Sequence, residues 1–238
     1  MANKKPMTGP QADFDYMNSA DMQARCGYES AVGAGTPFVA TTRRLVASGD
    51  SVRSAEGTFS GTLGFITSGL AERPFGDLVN DAFRLGYTEP DPRDDLSGTD
   101  VARKALILAR CLGWQLEMAD VTVEPLFPAA LADVSTEEFL ARIHDSNEEY
   151  SLANAEAASK NHVLRYVAKL EDGACKVGLM AVPAESPIGA LQGTDNILQL
   201  SSEVYCTTPL VVQGSGAGAD VTALGVIADM VGVCAAWK

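Results

Sequence analysis

Apolar residues at 101, 105, 108, 109 and 112 recur at the spacing of one helical face, and Gly113 closes the run. The spacing therefore predicts a helix over "DVARKALILARCLG", with Ser97 or Thr99 available to cap its start. Phe75–Leu85 is amphipathic in the same sense and ends at Gly86. Further helices are predicted over Asp13–Arg25, Pro37–Ala47, Ser135–Ile143, Glu148–Lys160 and the closing segment "GADVTALGVIADMVGVCAAW". The pattern changes to period two elsewhere. "SVRSAEGTF" alternates, breaks at Gly57 and turns at Ser60-Gly61 into its next element, and "VTVEPLFP" reads as a short strand. Four strands are predicted over "HVLRYVAKLE", "ACKVGLMAVP", "ILQLSSEVYC" and "PLVVQGSG", the middle two separated by the loop Ala184–Asn196. An order of helices, then strands, then a helix predicts an α+β domain with one β-sheet covered by helices on one face.

Composition narrows the function classes. At 238 residues and 46% hydrophobic, the chain has enough apolar mass for a substantial core. A net charge of -13 argues against nucleic acid and against anionic membrane surfaces as partners. No apolar run is expected to approach the ~20 residues of a membrane helix, and "MANKKPMTGPQ" has no apolar stretch behind its lysines to make a secretory signal. Five widely spaced cysteines without a CxxC predict free thiols in a reducing compartment.

The densest chemistry lies in "GYTEPDPRDDLSGTDVARK", residues 86–104. Asp100 and Lys104 are four apart and share a helical face, which by itself fits a surface ion pair. Asp100 also occupies the first helical turn, where backbone N–H groups favour a carboxylate. Glu89, Asp91, Asp94 and Asp95 crowd the same end. Like charges at one place are costly unless cations join them. Lys104, Arg103 and Arg93 answer part of that demand, and a substrate ammonium would answer more; a solvated Asp/Pro turn is the alternative. The glycine runs "VGAGT" and "GSGAGADVT" suit either tight packing or a phosphate cradle. His144 and His162 sit on polar segments and are read as non-catalytic.

Taken together, "ANKK", "YESAVGAGTPF", "SGD", "EGTFSGTL", "GYTEPDPRDDLSGTDVARKALILAR", "VLRYVA", "GTDNILQL" and "PLVVQGSGAGADVTALGVIADM" resemble homoserine dehydrogenase, in the family's order and over nearly the whole chain. They are similar to the dehydrogenase half of bifunctional aspartate kinase–homoserine dehydrogenase. The resemblance implies a mixed sheet of the family's catalytic-domain type, with a remnant of a Rossmann domain. It implies NAD- or NADP-dependent interconversion of L-homoserine and L-aspartate 4-semialdehyde, with Lys104 as proton donor and Asp100 beside it. Glu89, Asp100 and Lys4 would bind substrate, Lys5 being adjacent, and Lys4 and Gly218 would face the cofactor. Main-chain carbonyls of Glu29, Val32, Ala34 and Thr36 would hold a monovalent cation such as Na or K. "ANKK" falls after the family's dinucleotide fingerprint, so residues 1–35 are expected to be a remnant of the nucleotide-binding domain. Residues 36–214 would then be the substrate-binding and dimerisation domain, and 215–238 a closing helix returning to the nucleotide side. A homodimer, a separate nucleotide-binding half as partner, and a cytoplasmic or plastid location are further expectations. A non-catalytic amino-acid-binding or oligomerisation module of the same descent is the alternative. Ser215, "LGFITSG" and "AESPIGA" depart from the family's usual residues at their positions.

Overall fold

The computed structural model describes residues 1–236; the end of the expected closing helix at Trp237 lies outside them. In chain order the elements are α1 (Gln11–Met17), α2 (Ala20–Gln23), α3 (Phe38–Ala47), β1 (Val52–Thr58), α4 (Gly61–Gly69), α5 (Phe75–Arg84), α6 (Pro92–Leu96) and α7 (Thr99–Cys111). There follow β2 (Val121–Val123), α8 (Thr136–Arg142), α9 (Asn147–Ser159), β3 (His162–Glu171), β4 (Ala174–Pro183), β5 (Asp195–Ser202), β6 (Leu210–Ser215) and α10 (Ala219–Ala236).

The strands form one six-stranded sheet in the order β2-β4-β3-β1-β5-β6. β2 pairs parallel to β4 and every other neighbour is antiparallel, which makes the sheet mixed. Alternation divides its faces. Leu164, Tyr166, Ala168 and Leu170 of β3, with Leu198 and Leu200 of β5, join the main hydrophobic cluster with buried residues of α4, α5 and α7. Val167, Val182 and Ile197 point the other way, into a small cluster that the 184–194 loop closes with Ile188 and Leu191. The expected architecture, helices over one face, is the one observed. Met7, Phe14, Tyr28, Ala31 and Val32 belong to the main cluster too, so the N-terminal residues are packed into it.

Three boundaries differ from the sequence reading, each for a local reason. The helix expected over Asp13–Arg25 is two helices, because Asn18 leaves the helical path: its Nδ2 donates to Phe14 O and its Oδ1 accepts from Tyr28 Oη at 2.6 Å. β5 runs from Asp195 to Ser202 and does not extend to Cys206. Asp50 accepts from Ser202 Oγ at 2.7 Å and from Val204 N at 3.3 Å, turning the chain out of the sheet. Helix α7 takes neither Ser97 nor Thr99 as N-cap: Gly98 holds that place with φ +72°, while Ser97 Oγ accepts from Thr99 N at 3.2 Å.

The expectation that no segment reaches membrane-helix length is corrected by α10. Its 18 residues have a mean hydropathy of 1.7 and only 6% of them are buried, so it is long and apolar enough to cross a bilayer by length and composition. Asp220 and Asp229 interrupt its apolar positions. One side of the helix is docked: Asp229 Oδ2 accepts from Glu29 N at 3.1 Å and Ser30 Oγ donates to Thr222 O at 2.9 Å. A Cβ on Gly35 would stand 2.0 Å from Val221 O, and one on Gly225 would stand 2.3 Å from Ser30 Oγ. The two glycine runs of the sequence thus meet as a close backbone crossing. Leu224, Ile227, Met230 and Val231 on α10 stay exposed.

Candidate active site

The acidic stretch folds into a framework for one cleft. Asp91 caps α6 by accepting from Arg93 N at 3.0 Å. It also takes the Arg93 guanidinium, which stacks over Phe139 and donates to the carbonyls of Leu131, Ala132 and Val134. The side-chain hydrogen bond from Arg93, offset in part by burial, holds the Asp91 carboxyl below its ordinary range. Of the charges in the stretch, Asp91 and Arg93 therefore anchor the loop. Asp95 accepts from Glu89 N at 2.7 Å and so fixes the loop that carries Glu89. Burial first, and the neighbouring Glu89 and Asp100 charges after it, push the Asp95 carboxyl upward against the pull of the Glu89 N–H and Thr62 hydrogen bonds.

Helix α7 then delivers Asp100 and Lys104 on one face, one turn apart. Asp100 Oδ2 meets Lys104 Nζ at 2.9 Å and Asp100 Oδ1 meets Lys4 Nζ at 3.1 Å. Burial would raise the Asp100 carboxyl; the charges of Lys104 and Lys4 outweigh it and hold the group below its ordinary value. Lys104, 13% exposed, also donates to Phe59 O at 2.5 Å, at the end of β1. The carboxylate and the backbone carbonyl together fix the position of the ammonium.

Lys4, Glu89 and Asp100 line a cavity of about 500 Å³ together with Asp94, Asp95, Ser60, Thr99 and Arg103. Lys104 is not one of the lining residues and adjoins the cavity through its bond to Asp100. The residues named for substrate chemistry, 100 positions apart in sequence at the extremes, therefore come together. Asp95 was read only as one charge among several. Its position six residues after Glu89 gave no hint that it would accept that residue's N–H; the short helix α6 brings them together. Gly218, with φ +117° just ahead of α10, is not among the residues lining this cavity. His144 bonds Asn80 and His162 bonds Lys160 O, both outside it.

The turn named for a cation, Glu29–Thr36, lies under α10. Gly33 and Ala34 both have positive φ. The main-chain oxygen of Glu29 accepts from Val32 N at 3.2 Å and that of Thr36 from Phe38 N at 2.7 Å. Among the described residues no group of three His, Cys, Asp or Glu side chains stands together as a metal site. The Glu29 side chain is occupied: it caps α3, accepting from Val39 N at 2.9 Å and Ala40 N at 2.8 Å. Burial dominates over these bonds and pushes its pKa up to about 7 from 4.5. The folded state thus holds a proton that the unfolded state has lost between those two values. The contribution is present below pH 4.5 and disappears as pH rises through about 7. Stability is expected to fall by about 3 kcal/mol across that window from this group. Denaturant titrations from pH 5 to 8 on wild type and Glu29→Gln check it; the slope should flatten in the variant, and equal slopes would refute the assignment.

A family model described as homoserine dehydrogenase matches residues 37–231. The chain belongs to the homoserine dehydrogenase family. Among relatives, it is 43% identical over 219 residues to the homoserine dehydrogenase of Paracoccidioides brasiliensis, covering 87% of this chain and 59% of that protein. It is 42% identical over 236 residues to the chloroplastic bifunctional aspartokinase/homoserine dehydrogenase 2 of Zea mays, covering 96% and 26%. The chain thus spans about three fifths of the first and about a quarter of the second. A Candida auris crystal structure of a protein of unknown function is 35% identical with a TM-score of 0.91, covering 98% of this chain and 68% of that one. A hyperthermophilic archaeal homoserine dehydrogenase in complex with NADPH, 20% identical, shares the fold at a TM-score of 0.73, over 98% and 63%.

Proposed function

We propose that this chain forms the substrate half of a homoserine dehydrogenase, interconverting L-homoserine and L-aspartate 4-semialdehyde with NADP or NAD. The observation that carries the reading is the Lys4–Asp100–Lys104 chain of charges at the wall of a cleft that also presents Glu89. Carboxylates of Glu89 and Asp100 suit the ammonium of an amino acid. Lys104, held from behind by Phe59 O, presents a proton to an oxygen whose charge changes during reaction, or takes one in the reverse direction. Asp100 holds that lysine in an ion pair and Lys4 shares its carboxylate, so two lysines divide one carboxylate between them. An amino-acid-binding module without catalysis has no need of a lysine fixed in this way.

The nicotinamide cofactor, when bound, supplies the hydride acceptor. Lys4, in the cleft, and the open backbone at Gly218, where a Cβ would meet nothing within 4 Å, suit its approach. Residues 1–35 and 215–238 would face the nucleotide-binding portion, and the exposed apolar residues of α10 support that division. The test is homoserine-dependent NADP reduction by the chain extended to the length of its monofunctional relatives; an extended, folded protein inert towards homoserine would refute the reading. For residues 1–238 alone, calorimetry is expected to detect no micromolar NADPH binding, since no glycine turn following a strand in the dinucleotide pattern occurs in the sequence. Micromolar affinity would overturn that expectation.

The Glu29–Thr36 turn is part of the same proposal as a monovalent-cation site, Na or K, resting on main-chain oxygens. The homodimer expected through residues 163–212 has β6 as its exposed edge strand, with Val211 37% exposed. Sedimentation at tens of micromolar should show a dimer, and a clean monomer would count against it. A cytoplasmic location, or a plastid one as for the maize relative, accords with five free cysteines.

A further inference from the structure

The second face of the sheet buries a cation with no carboxylate beside it. Arg165 of β3 is 5% exposed. Its Nη1 donates to Leu164 O at 2.9 Å and Thr67 O at 3.4 Å, and its Nη2 to Gly189 O at 2.7 Å and Leu191 O at 3.2 Å. Burial pulls its pKa below the ordinary range and no charged group enters with it. The Nε–H is buried and has no partner among the described residues. Nor has the hydroxyl of Thr58, which is 3% exposed.

These two orphans share a face. Glu56 of β1 stands opposite Lys169 of β3 in the ladder, and their side chains pair at 3.5 Å on that face. Two residues along each strand, in the antiparallel sense, come Thr58 and Val167, and Arg165 is the diagonal neighbour of Thr58. Diagonal positions lie within reach of a long side chain. The 184–194 loop seals the region from outside, and Ile188, Leu191 and Val167 make its surroundings apolar. Arg165 Nε–H can only donate and a threonine hydroxyl can donate as well as accept, so a single anion can take a bond from each. Four carbonyl oxygens, among them Thr67 O in the last turn of α4, meet the guanidinium, and no carboxylate joins them.

We propose that Arg165 Nε and Thr58 Oγ1 together hold a small monovalent anion of chloride size between β1, β3 and the 184–194 loop. The anion neutralises the buried guanidinium and ties the loop to the end of β1. Phe59, the next residue, carries the carbonyl that accepts from Lys104, so the anion stands directly behind the strand end that supports the cleft. The proposal concerns the opposite face of the sheet and is independent of the substrate reading.

The experiment has two arms on the chain as it exists. Crystals grown with bromide in place of chloride should show an anomalous peak within about 3.4 Å of both Arg165 Nε and Thr58 Oγ1. A water-sized peak without anomalous signal, or direct contact between the two side chains, overturns the proposal. In solution, Tm should rise with the logarithm of chloride concentration relative to sodium gluconate at equal ionic strength. Thr58→Val, which keeps the shape and removes the hydroxyl, should lose most of that increment, and Thr58→Ser should keep it. Equal Tm values in the two salts for wild type, or an undiminished increment in Thr58→Val, contradict it.

Discussion

Replacing Lys104 with alanine, in the chain extended to the length of its monofunctional relatives, is expected to lower kcat by about 10²–10⁴-fold while changing homoserine affinity little. The reason is geometric. Lys104 Nζ is held by Asp100 at 2.9 Å and by Phe59 O at 2.5 Å, positioned by two acceptors that do not depend on substrate. A group whose partner changes charge only during the reaction stabilises the transition state more than the ground state, so its loss falls on turnover. Asp100→Ala should behave otherwise. Its carboxylate serves a substrate ammonium in ground and transition states alike, so KM should rise; it also bridges both lysines, so turnover should fall as well. Glu89→Ala should raise KM without touching the lysine, because its side chain has no bond to Lys104 and its backbone is held independently by Asp95. Steady-state kinetics on the three variants separates these outcomes. Wild-type turnover in Lys104→Ala would make the lysine a binding group.

Gly98→Ala should cost at least about 3 kcal/mol of stability, on the order of 10 °C in Tm for a chain of this size. Gly98 has φ +72°, and a Cβ there would stand 1.9 Å from the Tyr166 hydroxyl and 3.2 Å from Val123. The hydroxyl cannot yield cheaply, because it donates to Glu124 O at 2.7 Å from a side chain only 2% exposed. Left-handed backbone and overpacking thus add at one position. Gly98 is the N-cap of α7, so any relief by backbone movement displaces Asp100 two residues on. Thermal denaturation and a homoserine titration of the variant should show both losses. A variant as stable as wild type would mean that Tyr166 swings aside freely.

Gly98 also shows where the sequence stopped being legible. Periodicity located α7 correctly, since five apolar positions on one face need only local geometry to be read. The reason for glycine at the cap is a tyrosine 68 residues away that only the sheet brings close. Helix α5 was readable for the same reason as α7, its apolar face being regular, whereas α9 carries almost no apolar face and buries only Ala157. The Asn18 break and the early end of β5 at Ser202 were not readable, because each depends on a distant partner, Tyr28 in one case and Asp50 in the other. At the cleft, the acidic stretch advertised its chemistry through charge density alone. Which carboxylates are taken up within the loop was hidden: Asp91 holds Arg93, and Asp95 the Glu89 backbone. In α10 two aspartates interrupt the apolar pattern, yet Asp229 bonds Glu29 N and leaves the exposed side apolar.

The most direct measurement of the central claim is a crystal structure with L-homoserine bound. The account predicts its ammonium between the carboxylates of Glu89 and Asp100 and its hydroxyl oxygen within about 3.2 Å of Lys104 Nζ. Homoserine bound with its hydroxyl away from Lys104, or seated outside the cleft lined by Lys4, Glu89 and Asp100, would contradict it.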